Sequence, residues 1–290
     1  MRPAPRAWVT GEACAGYNSA VRALASDDPP AFTTLNAGRE SRVVLTCDHA
    51  GRAVPRAWGD LGMPAAAFDR HIAWDIGAAD VTRHLARLFD APAVLATYSR
   101  LFIDPNRPPG SAGSIATVSD GTPVPANVGI EEAERLLRAQ ISFWPYHRAI
   151  ERLIAKNEAQ HGVVALVSVH SFTPRMRGFD RPWHVGVLWD GDDRIAAPLI
   201  AALGQDAGIV VGDNEPYTAT SPAGYALEAY GLGPGRPHVM LEIRQDLIAT
   251  DAGAAEWAGR LHRALGPILA NPALHHLRRP LVRKAAPPLS

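Results

Sequence analysis

The sequence has little cysteine, no long apolar run and no net charge. Its two cysteines, Cys14 and Cys47, lie in separate segments. They therefore form neither a disulfide framework nor a CxxC metal site. No window approaches the roughly 20 apolar residues that a membrane span needs. The 29 Lys and Arg balance 29 Asp and Glu, which speaks against the broad positive surface of a nucleic-acid binder. No internal repeat is visible. The opening stretch MRPAPRAWVTGEAC holds basic residues with no continuous apolar segment behind them, so it does not read as a secretory signal. Together these absences lead us to expect a soluble cytoplasmic protein.

What is present is enough apolar material for a large core. Hydrophobic residues make up 47 % of the 290 residues and charged ones 20 %, which suits one large α/β domain or two small ones. Three apolar runs end in, or carry, chemistry-bearing groups. Val43–Gly51 reads VVLTCDHAG, with Asp48 and His49 leaving a buried strand where open α/β sheets place ligands. VVALVSVHSF over 163–172 ends near His170, and HVMLEIRQD over 238–246 carries Glu242 inside an apolar run. Two imidazoles and a carboxylate delivered by three strands are a metal-ligand and general-base inventory.

The rest of the chain predicts strands near 93–97, 183–189 and 209–211. Helical patterns cover Phe68–Phe89, Ile130–Glu158, about 192–205 and 253–269. Pro145 is expected to kink or divide the second of these. The Gly-, Ser- and Pro-rich stretch 110–127 and the polar stretch 213–225 read as long loops. Strands alternating with helices point to a three-layer α/β/α sandwich around a mixed, mostly parallel sheet. Residues 1–40, with a short helix over Tyr17–Ala25, read as an N-terminal extension packed on the main domain. Residues 41–270 read as that domain, and 271–290 as a basic, Pro-rich tail.

A catalytic zinc takes three protein ligands and keeps a position for water. His49 and His170 supply two ligands. Asp75, at a helix entrance, is the expected third, with Asp48 as the alternative or as an acceptor that orients an imidazole. Glu242 is left as the base, because a buried carboxylate must pair, bind metal or protonate. Cys47, inside the strand, is not expected to act as a nucleophile, and His184 and His238 are read as structural.

Six segments occur in an order that resembles the N-formylglutamate amidohydrolase family. They are DHAG at 48–51 followed by Pro55, HIAWDIGA at 71–78, SRLFIDPNRP at 99–108, YHRAIERL at 146–153, SVHSF at 168–172 and LEIRQD at 241–246. The resemblance implies a zinc-exopeptidase-like, phosphorylase/hydrolase-like fold. It also implies His49 and His170 as zinc ligands, Asp75 as the acidic ligand where many relatives use Glu, and Glu242 as the catalytic carboxylate. The implied reaction is hydrolysis of N-formyl-L-glutamate to formate and L-glutamate, as in histidine degradation, and the implied cofactor is Zn²⁺ or another divalent metal.

The implied partner is a small N-acyl amino acid, with no nucleic acid and no membrane. A substrate with two carboxylates calls for guanidinium forks. Arg100, Asn106 and Arg107 are candidates, as is Arg244, which lies two residues beyond Glu242 and so on its face of the strand. Arg175 and Arg177 are weaker candidates. His71 and His147 are candidates for touching the reacting group, with a packing role as the alternative. Ligands do not name a substrate. A zinc amidase or carboxypeptidase acting on other N-acyl amino acids or peptides therefore remains an alternative, as does a non-catalytic binding protein of the same fold. The oligomeric state leaves no mark in the sequence.

Overall fold

The computed structural model describes residues 23–219 and 224–278. Eleven strands are present among them: β1 Phe32–Leu35, β2 Val43–Cys47, β3 Ala93–Ala96, β4 Val118–Ser119, β5 Thr122–Pro123, β6 Ala165–Phe172, β7 Arg175–Met176, β8 Phe179–Asp180, β9 Val185–Leu188, β10 Val211–Asp213 and β11 His238–Arg244. The α-helices are α1 Ala78–Leu88, α2 Glu132–Arg138, α3 Trp144–His161, α4 Ala196–Leu203 and α5 Asp251–Leu269. Seven strands form one sheet in the order β1-β3-β2-β6-β11-β9-β10. Four of its neighbouring pairs are parallel, while β1 with β3 and β11 with β9 are antiparallel.

The strands read as continuous apolar runs because both faces of the sheet are covered. On one side, Leu45, Val167, Val169 and Leu241 pack with α1, α4 and α5 through residues such as Val81, Leu85, Leu199 and Leu261. On the other, Val44, Val94 and Leu166 pack with Tyr146, Ile150 and Ile154 of α3 and with Tyr230. Each such fully buried Leu, Ile or Val contributes about 1.5–3 kcal/mol. The result is the expected mixed, mostly parallel sheet between helical layers.

A further apolar cluster, including Trp58, Leu61, Tyr98, Phe102, Val124 and Phe143, fixes the long connections beside the sheet. Arg138, fully buried, pins them. Its Nε donates to Glu134 Oε1 at 2.8 Å, and its Nη1 donates to Asn127 Oδ1 at 2.7 Å and to the Phe102 carbonyl at 3.1 Å. Asn127 in turn donates to the Leu101 and Ala116 carbonyls at 2.8 and 2.7 Å. This clamp holds the segment from which Arg100, Asp104, Asn106 and Arg107 project.

Several local expectations are corrected. Phe68–Phe89 is helical only from Ala78. Before it come a 3-10 turn over Ala65–Asp69 and tight turns, because the backbone there serves the site: Ala73 O accepts from Ser99 Oγ and Arg100 N, and Asp75 N donates to His49 O. The division expected at Pro145 is present: a π-turn over Ala139–Phe143 separates α2 from α3, and Pro145 sits in the first turn of α3. The 110–127 stretch holds the small β4–β5 hairpin. Within 1–40, β1 pairs with β3 as the edge of the main sheet. The helix expected over Tyr17–Ala25 lies largely outside the described residues, and so does most of the basic tail.

Candidate active site

β2 lies between β3 and β6, so the chain leaves it first to one side and later to the other. A crevice opens at the carboxyl ends of strands at such a switch point. His49 follows β2 by two residues, and His170 is the third residue from the end of β6, directly across from Glu242 of β11 in the parallel register. Asp75 is brought in by the turn that starts α1. Its N–H donates to the His49 carbonyl at 2.9 Å, and Ser171 Oγ donates to the Ile76 carbonyl at 2.8 Å. Gly77 takes φ +80° there, and a Cβ on it would overlap the Ile248 carbonyl, so only glycine fits.

His49, Asp75 and His170 are buried, and their three ligand atoms lie within 4.8 Å of one another. His170 Nδ1 is 2.8 Å and His49 Nδ1 3.3 Å from Asp75 Oδ2. The other ring nitrogens face carboxylates. His49 Nε2 is 2.7 Å from Asp104 Oδ1, and His170 Nε2 makes a 3.3 Å contact with Asp48 Oδ2 without hydrogen-bond alignment. Asp48 Oδ1 accepts from Tyr146 OH at 2.5 Å. A carboxylate at Nε2 holds the proton there and leaves the Nδ1 lone pair for a metal. Two Nδ1 atoms and one carboxylate oxygen fit a catalytic zinc, which takes this ligand type in threes.

The electrostatics follow the burial. Desolvation, with the Arg100 charge, pushes His49 down to about 4, so it is the neutral imidazole that a metal requires. Burial raises the Asp48 carboxyl, but the facing His170 outweighs it and the net shift is downward. His170 moves up, because the Asp48 carboxylate outweighs burial. Asp104 stays well below the usual carboxylate range, as His49 and Arg100 override desolvation. Glu242 is displaced upward by burial, against the pull of His170 and Arg100, and its Oε2 has no hydrogen-bond partner among the described residues. It faces a cavity of about 550 Å³ shared with the three ligand residues. A neighbouring group that can take and return a proton beside a candidate metal centre suits hydrolysis.

The family model for N-formylglutamate amidohydrolase matches residues 41–249. The chain belongs to this family. A gene product of Agrobacterium tumefaciens has a similar structure, with 35 % identity and a TM-score of 0.82, over 86 % of this chain and 98 % of that one. An N-formylglutamate amidohydrolase of Ralstonia eutropha shares the fold at 20 % identity and a TM-score of 0.55, over 83 % and 96 % of the two chains. No curated protein compared with the chain matches it.

Within this amidohydrolase, the other residues singled out in the sequence divide. Arg100, Asn106 and Arg107 line the cavity. Arg100 also pairs through Nη2 with Asp75 Oδ1, so its charge is already engaged. Arg107 is only 3.9 Å from Asp104 Oδ2 and stays half-exposed. Arg244 does not line the cavity. It ends β11 with its guanidinium turned to Asp246, 2.8 Å away, and this corrects the inference from strand alternation. His71 lies 3.3 Å from Asp120, away from the cavity. Among the described residues His147 makes no side-chain hydrogen bond to the site: it packs between Phe143 and Tyr225, with Nε2 on the Pro105 carbonyl. Asp48 sits behind His170 rather than among the ligand atoms. Asp104 and Tyr146 were not singled out, although both lie in the segments SRLFIDPNRP and YHRAIERL. Tyr217, on the cavity wall, has no sequence signal beyond a loop rich in polar residues.

Proposed function

We propose that this protein is a zinc-dependent amidohydrolase that removes a formyl or similarly small acyl group from the nitrogen of an amino acid, N-formyl-L-glutamate being the substrate that its family membership favours. The observation that carries the reading is the buried convergence of His49 Nδ1, His170 Nδ1 and Asp75 Oδ2, each imidazole backed by a carboxylate, next to an unpartnered Glu242. Those three atoms would hold the metal. Zinc supplies a Lewis acid that brings the pKa of water toward about 7.

The chain's own groups do the rest. Glu242 Oε2 takes the proton of the attacking water as the new C–O bond forms. It hands a proton to the amide nitrogen as the C–N bond breaks, leaving a carboxylate and a free amine. Asp104 and Asp48 hold the His49 and His170 rings in the ligating tautomer. Asn106 and Arg107 offer an amide and a guanidinium to the substrate's α-carboxylate, and burial of the cavity floor limits bulk water at Glu242. A cytoplasmic place and a part in histidine breakdown go with this reading.

The test is formate release from N-formyl-L-glutamate by the protein as prepared, after chelation and after zinc is restored. Activity lost and regained supports the reading, and His170→Ala should bind no zinc. Turnover that survives complete chelation would sink the metal-dependent mechanism.

A further inference from the structure

Arg181 is 7 % exposed and faces no carboxylate within ion-pair distance among the described residues. The other well-covered arginines do. Arg138 meets Glu134, Arg194 meets Asp192, Arg236 meets Glu158 and Arg100 meets Asp75. Arg181 has instead the Thr173 carbonyl at 3.3 Å, the Met176 sulfur at 3.0 Å and the Tyr217 hydroxyl at 3.1 Å, between the rings of Phe172 and Tyr217. A thioether is a weak acceptor, and a buried cation without a counter-ion is costly. The structure holds that cation one residue behind the cavity wall, because Tyr217 lines the cavity. The Tyr217 oxygen accepts from Arg181 Nη1, so its own proton is free to be donated elsewhere.

We propose that Arg181 and Tyr217 form a second anion handle, through which the enzyme recognises a carboxylate on the side chain of its N-acyl amino-acid substrate. The inference rests on the amidohydrolase reading above and assigns to two residues the recognition of the second carboxylate that the favoured substrate carries. Two handles then reach the cavity from opposite ends of the sheet. Asn106 and Arg107 follow β3, and Tyr217 follows β10, with the site strands β2, β6 and β11 between them. Arg181 is a positioning residue. It orients and polarises the Tyr217 O–H, which then donates to the substrate anion. A donor aimed at the transition state would serve every substrate alike, whereas a handle for a ground-state anion discriminates among them.

The experiment compares kcat and KM for N-formyl-L-glutamate and for its neutral isostere N-formyl-L-glutamine, in the wild type and in Arg181→Met, Arg181→Lys and Tyr217→Phe. The wild type should prefer the glutamate substrate by about 10–100-fold, the range of a hydrogen bond to a charged group. Arg181→Met should collapse that preference through the KM for glutamate, and Arg181→Lys should restore part of it. A wild type without preference, or variants that lose both substrates equally through kcat, would overturn the proposal. Circular dichroism separates misfolding from lost recognition, and Tyr217→Phe, which keeps the ring, tests the handle should both Arg181 variants misfold. If neither substrate is hydrolysed, the amidohydrolase reading fails on its own. Glutarate binding by calorimetry then decides the handle: tight in the wild type and weakened in Tyr217→Phe supports it, and no binding in the wild type refutes it.

Discussion

Replacing Asp104 with Asn probes the candidate metal centre without touching a proposed ligand atom. Asp104 Oδ1 takes two donors, His49 Nε2 at 2.7 Å and the Asn106 N–H at 2.8 Å. Both need an acceptor at that oxygen, so the amide should settle with its oxygen where Oδ1 now lies. The His49 tautomer is then kept, and only the negative charge behind the ring is lost. Removal of a group of this kind typically lowers metal affinity 10–100-fold, or about 1.4–2.8 kcal/mol. The loss should be smaller for Asp48→Asn, because the Asp48 contact to His170 is 3.3 Å and poorly aligned. Zinc Kd by chelator competition measures both, with circular dichroism as the check on folding. An Asp104→Asn protein that binds zinc as tightly as wild type would show that the carboxylate does not tune His49. A larger loss for Asp48→Asn would show that the Asp48 carboxylate, despite its 3.3 Å contact, matters more to the ligand rings than Asp104 does.

The other variants address separate groups. Glu242→Gln should keep zinc and lower kcat by about 10²–10⁴; full activity would remove Glu242 as the base. Arg244→Ala should leave the KM for N-formyl-L-glutamate unchanged, because that guanidinium is turned to Asp246, and a raised KM would return it to the substrate. Burial pushes the Cys47 thiol up to about 12, so peptide mass spectrometry should find Cys47 unalkylated in the native protein at pH 9 and modified after denaturation. Gly186 lies across from Glu242, and a Cβ on it would overlap the Glu215 carbonyl of the loop that carries Tyr217. Gly186→Ala should therefore cost about 1–3 kcal/mol in chemical denaturation and also lower turnover; an unchanged midpoint would show that the loop yields freely.

Much of this arrangement was legible in the sequence because burial leaves a linear trace. β2, β6 and β11 are covered on both faces, so each reads as an unbroken apolar run, and a His or Glu inside one stands out. The helix over 78–88 shows its period for the same reason. The stretch 68–77 does not, because its backbone is held by distant partners. Asp75 N reaches back to His49, and Ala73 O is taken by Ser99 and Arg100. No propensity within those ten residues records such bonds. Asp104 shows the same blindness at the site itself. Its segment drew attention for its arginines and its asparagine, yet its role depends on meeting a ring 55 residues away.

The two arginines on either side of β9 carry this further. Arg244 was favoured by alternation, a rule that holds only while a chain stays in a strand. β11 ends at Arg244 and turns into a 3-10 segment, where Asp246, two residues on, captures the guanidinium. Arg181 had no pattern to recommend it, sitting between a short hairpin and a proline. Only the fold shows that it is covered, that Phe172 and Tyr217 flank it and that no carboxylate lies within ion-pair distance of it among the described residues. A sequence displays which cations a chain owns but not which are already neutralised. For the proposed anion recognition, the informative cation is one that no carboxylate pairs with at ion-pair distance among the described residues, and on that criterion Arg181 outranks both Arg100, which Asp75 engages, and Arg244.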